Sequence, residues 1–159
     1  MIKLVILDID GVITDGKVQI DSKGNESKQI DFKDIDAIFE LKRKGYKLGI
    51  ITGEDTPIND FFNHRFKPDF FYSSCKDKVS AVKEIMNKDG YKREEICFVG
   101  DSKHDADAVE YVGLGVCPNN ASEGVKKVAD KILNSKGGDG CIMELLGFLE
   151  EYKGEIIGW

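Results

Sequence analysis

Residues 1–16, MIKLVILDIDGVITDG, are the stretch from which the fold can be worked out. The run from Ile2 to Leu7 is short, apolar and rich in β-branched residues, which is typical of a buried strand in a parallel sheet. Two carboxylates, Asp8 and Asp10, follow at its carboxyl end, where open α/β sheets bind their ligands. Residues two apart in an extended chain point the same way, so both side chains can face one small volume. Because two like charges repel there, the pair favours a hard divalent cation such as Mg²⁺.

The string DIDGVITDG, residues 8–16, is more informative than an isolated D-x-D pair, which could simply end a strand. Since it follows directly on an apolar strand, it resembles motif one of the haloacid dehalogenase superfamily. Within that superfamily it is similar to the capless branch of 3-deoxy-D-manno-octulosonate 8-phosphate (KDO-8-phosphate) phosphatases. The resemblance implies a Mg²⁺-dependent phosphatase that acts on a small sugar phosphate.

The composition is that of a globular domain. A chain of 159 residues can bury one hydrophobic core without disulfides or structural metals to stabilise it. A content of 41% apolar and 33% charged residues is typical of globular domains. We therefore expect residues 1–159 to form a single domain. The net charge of −6 argues against a nucleic-acid partner, because phosphate backbones require basic patches.

Cysteine usage and the lack of targeting signals predict a cytoplasmic protein with no membrane partner. The cysteines form no C-x-x-C pair, which argues against a zinc or redox motif. Two of them, Cys97 and Cys117, fall in predicted strands and are expected to be buried free thiols. The opening apolar run is too short for a signal peptide, and no run of eighteen apolar residues exists.

Beyond the first strand, apolar runs alternate with amphipathic segments. Lys17 to Asp31 alternates apolar and polar residues around a polar turn, which predicts a hairpin flap over the end of the first strand. Thr56 before Pro57 is predicted to cap a helix. Further strands are predicted at 46–51, 68–72, 96–99, 114–117 and 131–133, and helices at 34–44, 57–65, 77–88, 105–112, 122–129 and 140–152. This alternation predicts a doubly wound three-layer α/β/α sandwich with a mostly parallel sheet and no cap domain.

Polar residues at the ends of other predicted strands can join the first two carboxylates. They are Thr52 with Gly53, Lys78 at a helix start, and Asp101 with Asp105. Each alone has an ordinary explanation, such as a turn, a surface lysine or a helix cap. Together, their order and spacing resemble motifs two to four of the same superfamily, over nearly the whole chain.

The resemblance implies a role for each acid. Asp8 would be the nucleophile that forms an aspartyl-phosphate intermediate. Asp10 would protonate the leaving alcohol and then activate water. Mg²⁺ would be held by Asp8, the backbone carbonyl of Asp10 and Asp101. Asp105 would be a further ligand or would act through a water molecule.

The phosphoryl oxygens not bound by the metal need other partners. Thr52 Oγ1, the Gly53 amide and the Lys78 ammonium are expected to bind them. Lys78 is also expected near a helix N-terminus, which itself attracts anions.

The segment Gly137–Gly140 resembles a G-G-x-G element of the KDO-8-phosphate phosphatases. In that family the element reaches a neighbouring subunit's active site in a tetramer, so a homotetramer is expected. Other positions depart from the family: Glu54 replaces an arginine, Asp34-Ile35 replaces Asp-Gly, and the tail carries Asp139 and Met143 where arginines are usual. Fewer guanidinium groups weaken carboxylate recognition. The substrate therefore stays open between KDO-8-phosphate and another sugar phosphate, including a nine-carbon, sialic-acid-like keto-acid phosphate.

Two other functions fit part of the pattern. A receiver-type signalling domain also carries acids, a threonine and a lysine at strand ends, but its acceptor aspartate would end the third strand, where Tyr72-Ser73-Ser74 stands. A catalytically inactive metal-binding scaffold would keep the acids without turnover. Nucleotide binding has less support, because the chain has neither a G-x-x-x-x-G-K-[ST] loop nor a complete dinucleotide fingerprint.

Overall fold

The computed structural model describes residues 1–152, along which strands and helices alternate. The strands are β1 (Leu4–Leu7), β2 (Gln19–Ile20), β3 (Glu26–Ser27), β4 (Lys47–Ile51), β5 (Phe70–Tyr72), β6 (Ile96–Val99), β7 (Leu114–Cys117) and β8 (Lys131–Ile132). The helices are α1 (Phe32–Arg43), α2 (Ile58–Phe66), α3 (Lys78–Asp89), α4 (Ala106–Tyr111), α5 (Glu123–Lys126) and α6 (Cys141–Glu151). None of the helices within these residues is long and apolar enough to cross a membrane.

Six parallel strands form the central sheet in the order β5-β4-β1-β6-β7-β8, which confirms the predicted fold class. The chain winds outward from β1 through β4 to β5, and then returns to β6 on the other side of β1. The carboxyl ends of β1, β4 and β6 therefore meet where the winding reverses, which is where such sheets bind ligands.

Both faces of the sheet are covered, so β1 has no polar side. Val5 and Leu7 pack in one apolar cluster with α1, α2 and α6, whereas Leu4 and Ile6 pack in the other with α3, α4 and α5. A strand buried on both faces carries a continuous apolar run rather than an alternating one. Cys97 and Cys117 are buried free thiols, as predicted.

Helix starts follow the available capping groups. Asp31 accepts a hydrogen bond from the Lys33 amide at 2.8 Å, so α1 begins two residues earlier than predicted. The prediction that Thr56 caps α2 is wrong, because its buried hydroxyl has no hydrogen-bond partner and the helix begins at Ile58. Helix α5 is also shorter than predicted.

The predicted hairpin is present and stands outside the sandwich. Strands β2 and β3 pair in antiparallel fashion, and a bridge between Thr14 and Ile30 joins the base of the hairpin to the loop after β1. Val18 and Ile20 on the hairpin are 46% and 59% exposed. Within residues 1–152 no further folded unit stands apart from the sandwich, in agreement with the absence of a cap domain.

The glycine-rich segment before α6 packs against its own chain. The Gly138 amide donates to the Val12 carbonyl at 3.1 Å. A Cβ atom on Gly137 would lie 1.8 Å from the Gly11 carbonyl oxygen, and one on Gly138 would lie 2.3 Å from the Asp15 amide nitrogen. Gly137 and Gly138 therefore support the loop after β1 of the same protomer. The expectation that the segment also reaches a neighbouring subunit stays a prediction.

A buried carboxylate fixes the segment to the first helix. Asp34 in α1 accepts hydrogen bonds from the amides of Gly140 at 3.1 Å and Ile142 at 3.0 Å, at the N-terminus of α6. Burial raises the pKa of Asp34, although the backbone N–H donors act in the opposite direction. Through these hydrogen bonds to Asp34, α1 and α6 fix the glycine-rich segment that packs against the loop after β1.

Replacing Gly137 by alanine is expected to destabilise the protein and to lower its activity. The added methyl group overlaps the Gly11 carbonyl, and overpacking of this kind costs about 1–3 kcal/mol. Urea denaturation measures the free energy of unfolding. Gly147→Ala is the control, because a Cβ there meets nothing within 4 Å and alanine favours a helix. A Gly137→Ala protein as stable as the wild type would contradict the proposed support.

Candidate active site

A cavity of about 290 Å³ opens at the carboxyl ends of the central strands. Six of the seven residues predicted from the sequence line it, namely Asp8, Asp10, Thr52, Gly53, Lys78 and Asp101. The seventh, Asp105, is fully buried next to them. The structure thus brings all the predicted residues together, because parallel strands end at a common edge.

Asp8 is the first residue after β1 and is 6% exposed. Its Oδ1 accepts a hydrogen bond from the Ile9 amide at 2.8 Å, and its Oδ2 lies 3.3 Å from Lys78 Nζ. Burial and the charge of Asp105 raise the pKa of Asp8 well above its usual range, although Lys78 acts in the opposite direction. The ionised form of Asp8 therefore depends on nearby positive charge.

Asp105 has hydrogen bonds at both carboxylate oxygens. Oδ1 accepts from Lys78 Nζ at 2.5 Å. Oδ2 accepts from the amides of Asp101 at 3.0 Å and Ser102 at 3.2 Å, which shapes the turn after β6. These hydrogen bonds fix the positions of the Asp101 backbone and of the Lys78 side chain.

Asp101 is partly exposed at the edge of the cavity. Burial and the neighbouring charge of Asp105 raise the pKa of Asp101 to about 6. Gly11 has a φ of +83° and approaches so closely that a Cβ there would lie 1.8 Å from Asp101 Oδ2. Glycine at this position lets the loop after β1 come against the carboxylate that follows β6.

Lys78 is the first residue of α3, which is capped by Asp77 through the Ser80 amide. The lysine is 5% exposed. Burial alone would lower the pKa of Lys78, but Asp8 and Asp105 outweigh burial and raise it. Its ammonium is therefore a fixed positive charge inside the carboxylate cluster.

Thr52 follows β4 and is held by backbone contacts on both sides. Its amide donates to the Tyr72 carbonyl, and its carbonyl accepts from the Cys75 amide, both at 2.9 Å. Its hydroxyl lies 3.4 Å from the Glu54 amide. Gly53 comes next and faces the same cavity.

Asp10 is contacted by a residue that the sequence analysis missed. Lys28, which follows β3 in the hairpin, donates to Asp10 Oδ1 at 2.8 Å. The Thr14 hydroxyl is also near this oxygen, at 3.4 Å. No local sequence signal identifies Lys28, because the contact joins residues 18 positions apart through the path of the hairpin.

Other lining residues were not predicted as part of the site. Lys76 donates to the Gly53 carbonyl at 2.9 Å, and Cys75 and Ser102 also line the cavity. His104 is exposed and also faces the cavity. The position of Lys76 two residues before Lys78 could have suggested a second cation at this edge.

The carboxylate cluster can hold a divalent cation. Asp8, Asp101 and Asp105 each offer an oxygen, and these atoms lie within 4.8 Å of one another. Within the described part of the chain one ammonium, that of Lys78, pairs with this cluster of three carboxylates, so the cluster carries an excess of negative charge. Carboxylate oxygens are the ligands that Mg²⁺ prefers, and the residues therefore fit the ion.

Comparisons with known proteins point to one family. A model of the haloacid dehalogenase-like hydrolase family matches residues 59–145, more than half of the chain. The chain is also 27% identical over 154 residues to the KDO-8-phosphate phosphatase of Haemophilus influenzae, and the match covers 97% of this chain and 86% of that protein.

Solved structures agree with the sequence matches. The KDO-8-phosphate phosphatase of Moraxella catarrhalis, solved with a magnesium ion, a phosphate ion and KDO, has a TM-score of 0.88 at 29% identity, covering 93% of this chain and 85% of that one. The Yersinia pestis phosphatase of the same name has a TM-score of 0.87 at 26% identity, covering 97% and 87%. Since the family model spans more than half of the chain and the similarity to these phosphatases runs almost end to end, the chain belongs to the haloacid dehalogenase-like hydrolase family and is a phosphatase.

Proposed function

We propose that the chain hydrolyses a small sugar phosphate with Mg²⁺ as cofactor, through an aspartyl-phosphate intermediate. The observation that carries the proposal is the cluster of Asp8, Asp101 and Asp105 around Lys78, beside a cavity that Asp10 also lines. This cluster provides a nucleophile, a cation site and a fixed positive charge in one cavity.

Asp8 is the nucleophile. Its carboxylate oxygen attacks phosphorus, and the bond from phosphorus to the substrate alcohol breaks. Water then attacks phosphorus, the bond to Asp8 breaks, and inorganic phosphate leaves. The hydrogen bond from the Ile9 amide to Oδ1 fixes the carboxylate for this attack.

Asp10 moves the protons. In the first step it gives a proton to the leaving alcohol oxygen, and in the second it takes one from the attacking water. Asp10 suits this role because it lines the cavity two residues after the nucleophile and is more exposed than Asp8.

The metal is held by the carboxylates of Asp8 and Asp101 and by the backbone carbonyl of Asp10. Asp105 supports these ligands indirectly, since its oxygens accept hydrogen bonds from Lys78 and two amides. When bound, Mg²⁺ shields the approach of a carboxylate to an anionic phosphate and stabilises the charge that develops on it.

Thr52, Gly53 and Lys78 bind the phosphoryl oxygens. The Thr52 hydroxyl and the Gly53 amide sit after β4, and the Lys78 ammonium comes from the start of α3. Donors placed before the reaction stabilise developing charge without having to reorganise.

The substrate is a phosphorylated 2-keto-3-deoxy sugar acid, such as KDO-8-phosphate or a nine-carbon 9-phosphate. The names of the relatives support this class. Glu54 lines the cavity where the family usually carries an arginine, which disfavours a carboxylate at that point and keeps the nine-carbon alternative in the proposal.

A phosphate-release screen tests the function. The purified chain is incubated with KDO-8-phosphate, a nine-carbon keto-acid 9-phosphate, glucose 6-phosphate and p-nitrophenyl phosphate, in Mg²⁺ or in EDTA. We expect release in Mg²⁺, none in EDTA, recovery when Mg²⁺ is restored, and faster turnover of the keto acids than of glucose 6-phosphate. No release from any ester would support the inactive scaffold instead. The receiver-type alternative has no support from the hydrolase-family match.

We also propose that the chain is a homotetramer whose hairpins pair between subunits. The exposed Val18 and Ile20 support this, since an isolated two-stranded hairpin is marginal in water. Replacing both by aspartate is expected to yield smaller species in size-exclusion chromatography with light scattering, with loss of sugar-phosphate turnover. The change Phe61→Asp, on α2, serves as a control for a charge at a partly exposed apolar site. A wild-type monomer with full activity would contradict the assembly.

A further inference from the structure

Lys28 is an unusual residue on the hairpin. The hairpin exposes its apolar side chains Val18 and Ile20, yet the side chain of Lys28 is only 7% exposed. Lysine loses hydration and rotamer freedom when it is buried, so it is almost never buried without a partner. Its partner here is Asp10, the residue proposed above as the acid and base.

The contact falls on one oxygen of the carboxylate. Lys28 Nζ lies 2.8 Å from Asp10 Oδ1, and the Thr14 hydroxyl lies 3.4 Å from the same atom. Within residues 1–152, Oδ2 accepts no hydrogen bond from another residue. With Oδ1 occupied, rotation about the last side-chain bond is restricted and Oδ2 is the oxygen available for proton transfer.

The surroundings place this contact beside the space for a leaving group. A second cavity of about 240 Å³ adjoins the first, shares Asp10, Gly16 and Glu54 with it, and is also lined by Lys28 and Thr56. An alcohol leaving from phosphorus toward the hairpin would pass Asp10 on this side.

Resting on the proposed function, we infer that Lys28 is a positioning residue that holds Asp10 for proton transfer to the leaving alcohol. The hairpin then has a role within each protomer, because it carries the ammonium that orients the acid. Lys28 acts through Asp10 and does not itself exchange the proton.

The test compares two leaving groups. A sugar alcohol needs a proton as it leaves, whereas p-nitrophenolate leaves without one, and general acid catalysis contributes typically 10²–10⁴-fold. For Lys28→Met, we expect kcat/KM for the best sugar phosphate of the screen to fall about 100-fold, mainly through kcat. The value for p-nitrophenyl phosphate is expected to change less than about threefold, which also shows that the variant is folded.

Three further variants sharpen the test. Lys28→Arg is expected to restore most of the sugar-phosphate activity, since it keeps a cation within reach of Asp10. In an Asp10→Asn background, Lys28→Met is expected to add no further loss, because the two residues act as one unit. Lys23→Met, at the exposed turn of the same hairpin, is the matched control and is expected to resemble the wild type.

The outcomes separate the two proposals. Equal losses on both esters, a loss confined to KM, or full additivity with Asp10→Asn would overturn the role of Lys28 and leave the phosphatase function intact. Failure of the wild type to hydrolyse either ester would instead overturn the proposed function, and the role of Lys28 with it.

Discussion

Replacing Asp8 by asparagine is expected to abolish phosphate release from every substrate, by roughly 10³-fold or more. The amide is nearly isosteric, but it cannot attack phosphorus to form the covalent intermediate. Steady-state assays in saturating Mg²⁺ measure the loss. Asp36→Asn, an exposed change on α1, is the control and is expected to be fully active.

The melting temperature of Asp8→Asn shows whether its loss of activity comes from lost chemistry or from lost structure. Because burial and Asp105 raise the pKa of Asp8, the ionised carboxylate destabilises the folded chain at neutral pH in the absence of a metal. Removing that charge is therefore expected to leave the melting temperature in EDTA unchanged or higher. An Asp8→Asn protein that keeps even a tenth of the wild-type activity would contradict the aspartyl-phosphate mechanism.

Replacing Lys78 by methionine is expected to impair both catalysis and folding. The buried ammonium contacts Asp8 at 3.3 Å and Asp105 at 2.5 Å. Without it three carboxylates would face one another with no counter-ion, and breaking a buried pair from one side costs about 3–5 kcal/mol. Loss of the ammonium that binds the phosphoryl oxygens is expected to lower kcat/KM by about 10²–10³-fold.

Thermal melting with and without Mg²⁺ checks the electrostatic reason. The variant is expected to melt below the wild type in EDTA and to gain more from Mg²⁺, because the ion compensates carboxylates that have lost the lysine. Lys88→Met is the control, since Lys88 lies on the exposed face of the same helix. Equal melting temperatures in EDTA would show that Lys78 does not stabilise the cluster.

Much of the sheet was predictable, because its strands are short apolar runs between polar turns. Strands β6 and β7 match the predicted limits residue for residue, and both are fully buried. The common edge of a parallel sheet also explains why Asp8, Thr52 and Asp101 could be placed together from the sequence alone. Their proposed chemical roles remain predictions until the variants are assayed.

What could not be predicted depends on how distant segments meet. The contact of Lys28 with Asp10 needs the twist and path of the whole hairpin, which an alternating pattern does not encode. The packing of Gly137 against Gly11 joins the two ends of the described chain. Thr56 had the right residue type for a cap, but the turn before α2 leaves its hydroxyl without a partner. Local propensity cannot foresee such tertiary effects.

The hydrogen bonds from α6 to Asp34 also constrain the order in which the protein can mature on the ribosome. The bond from Gly140 to Asp34 joins residues 106 positions apart, and the support for the first catalytic loop comes from a segment that is synthesised after every described strand. Contacts of such long sequence separation form late and slow folding. A nascent chain that already exposes Asp8 and Asp10 therefore still lacks the contacts that support the loop of the nucleophile. Activity is expected only once α6 has left the exit tunnel and packed against α1.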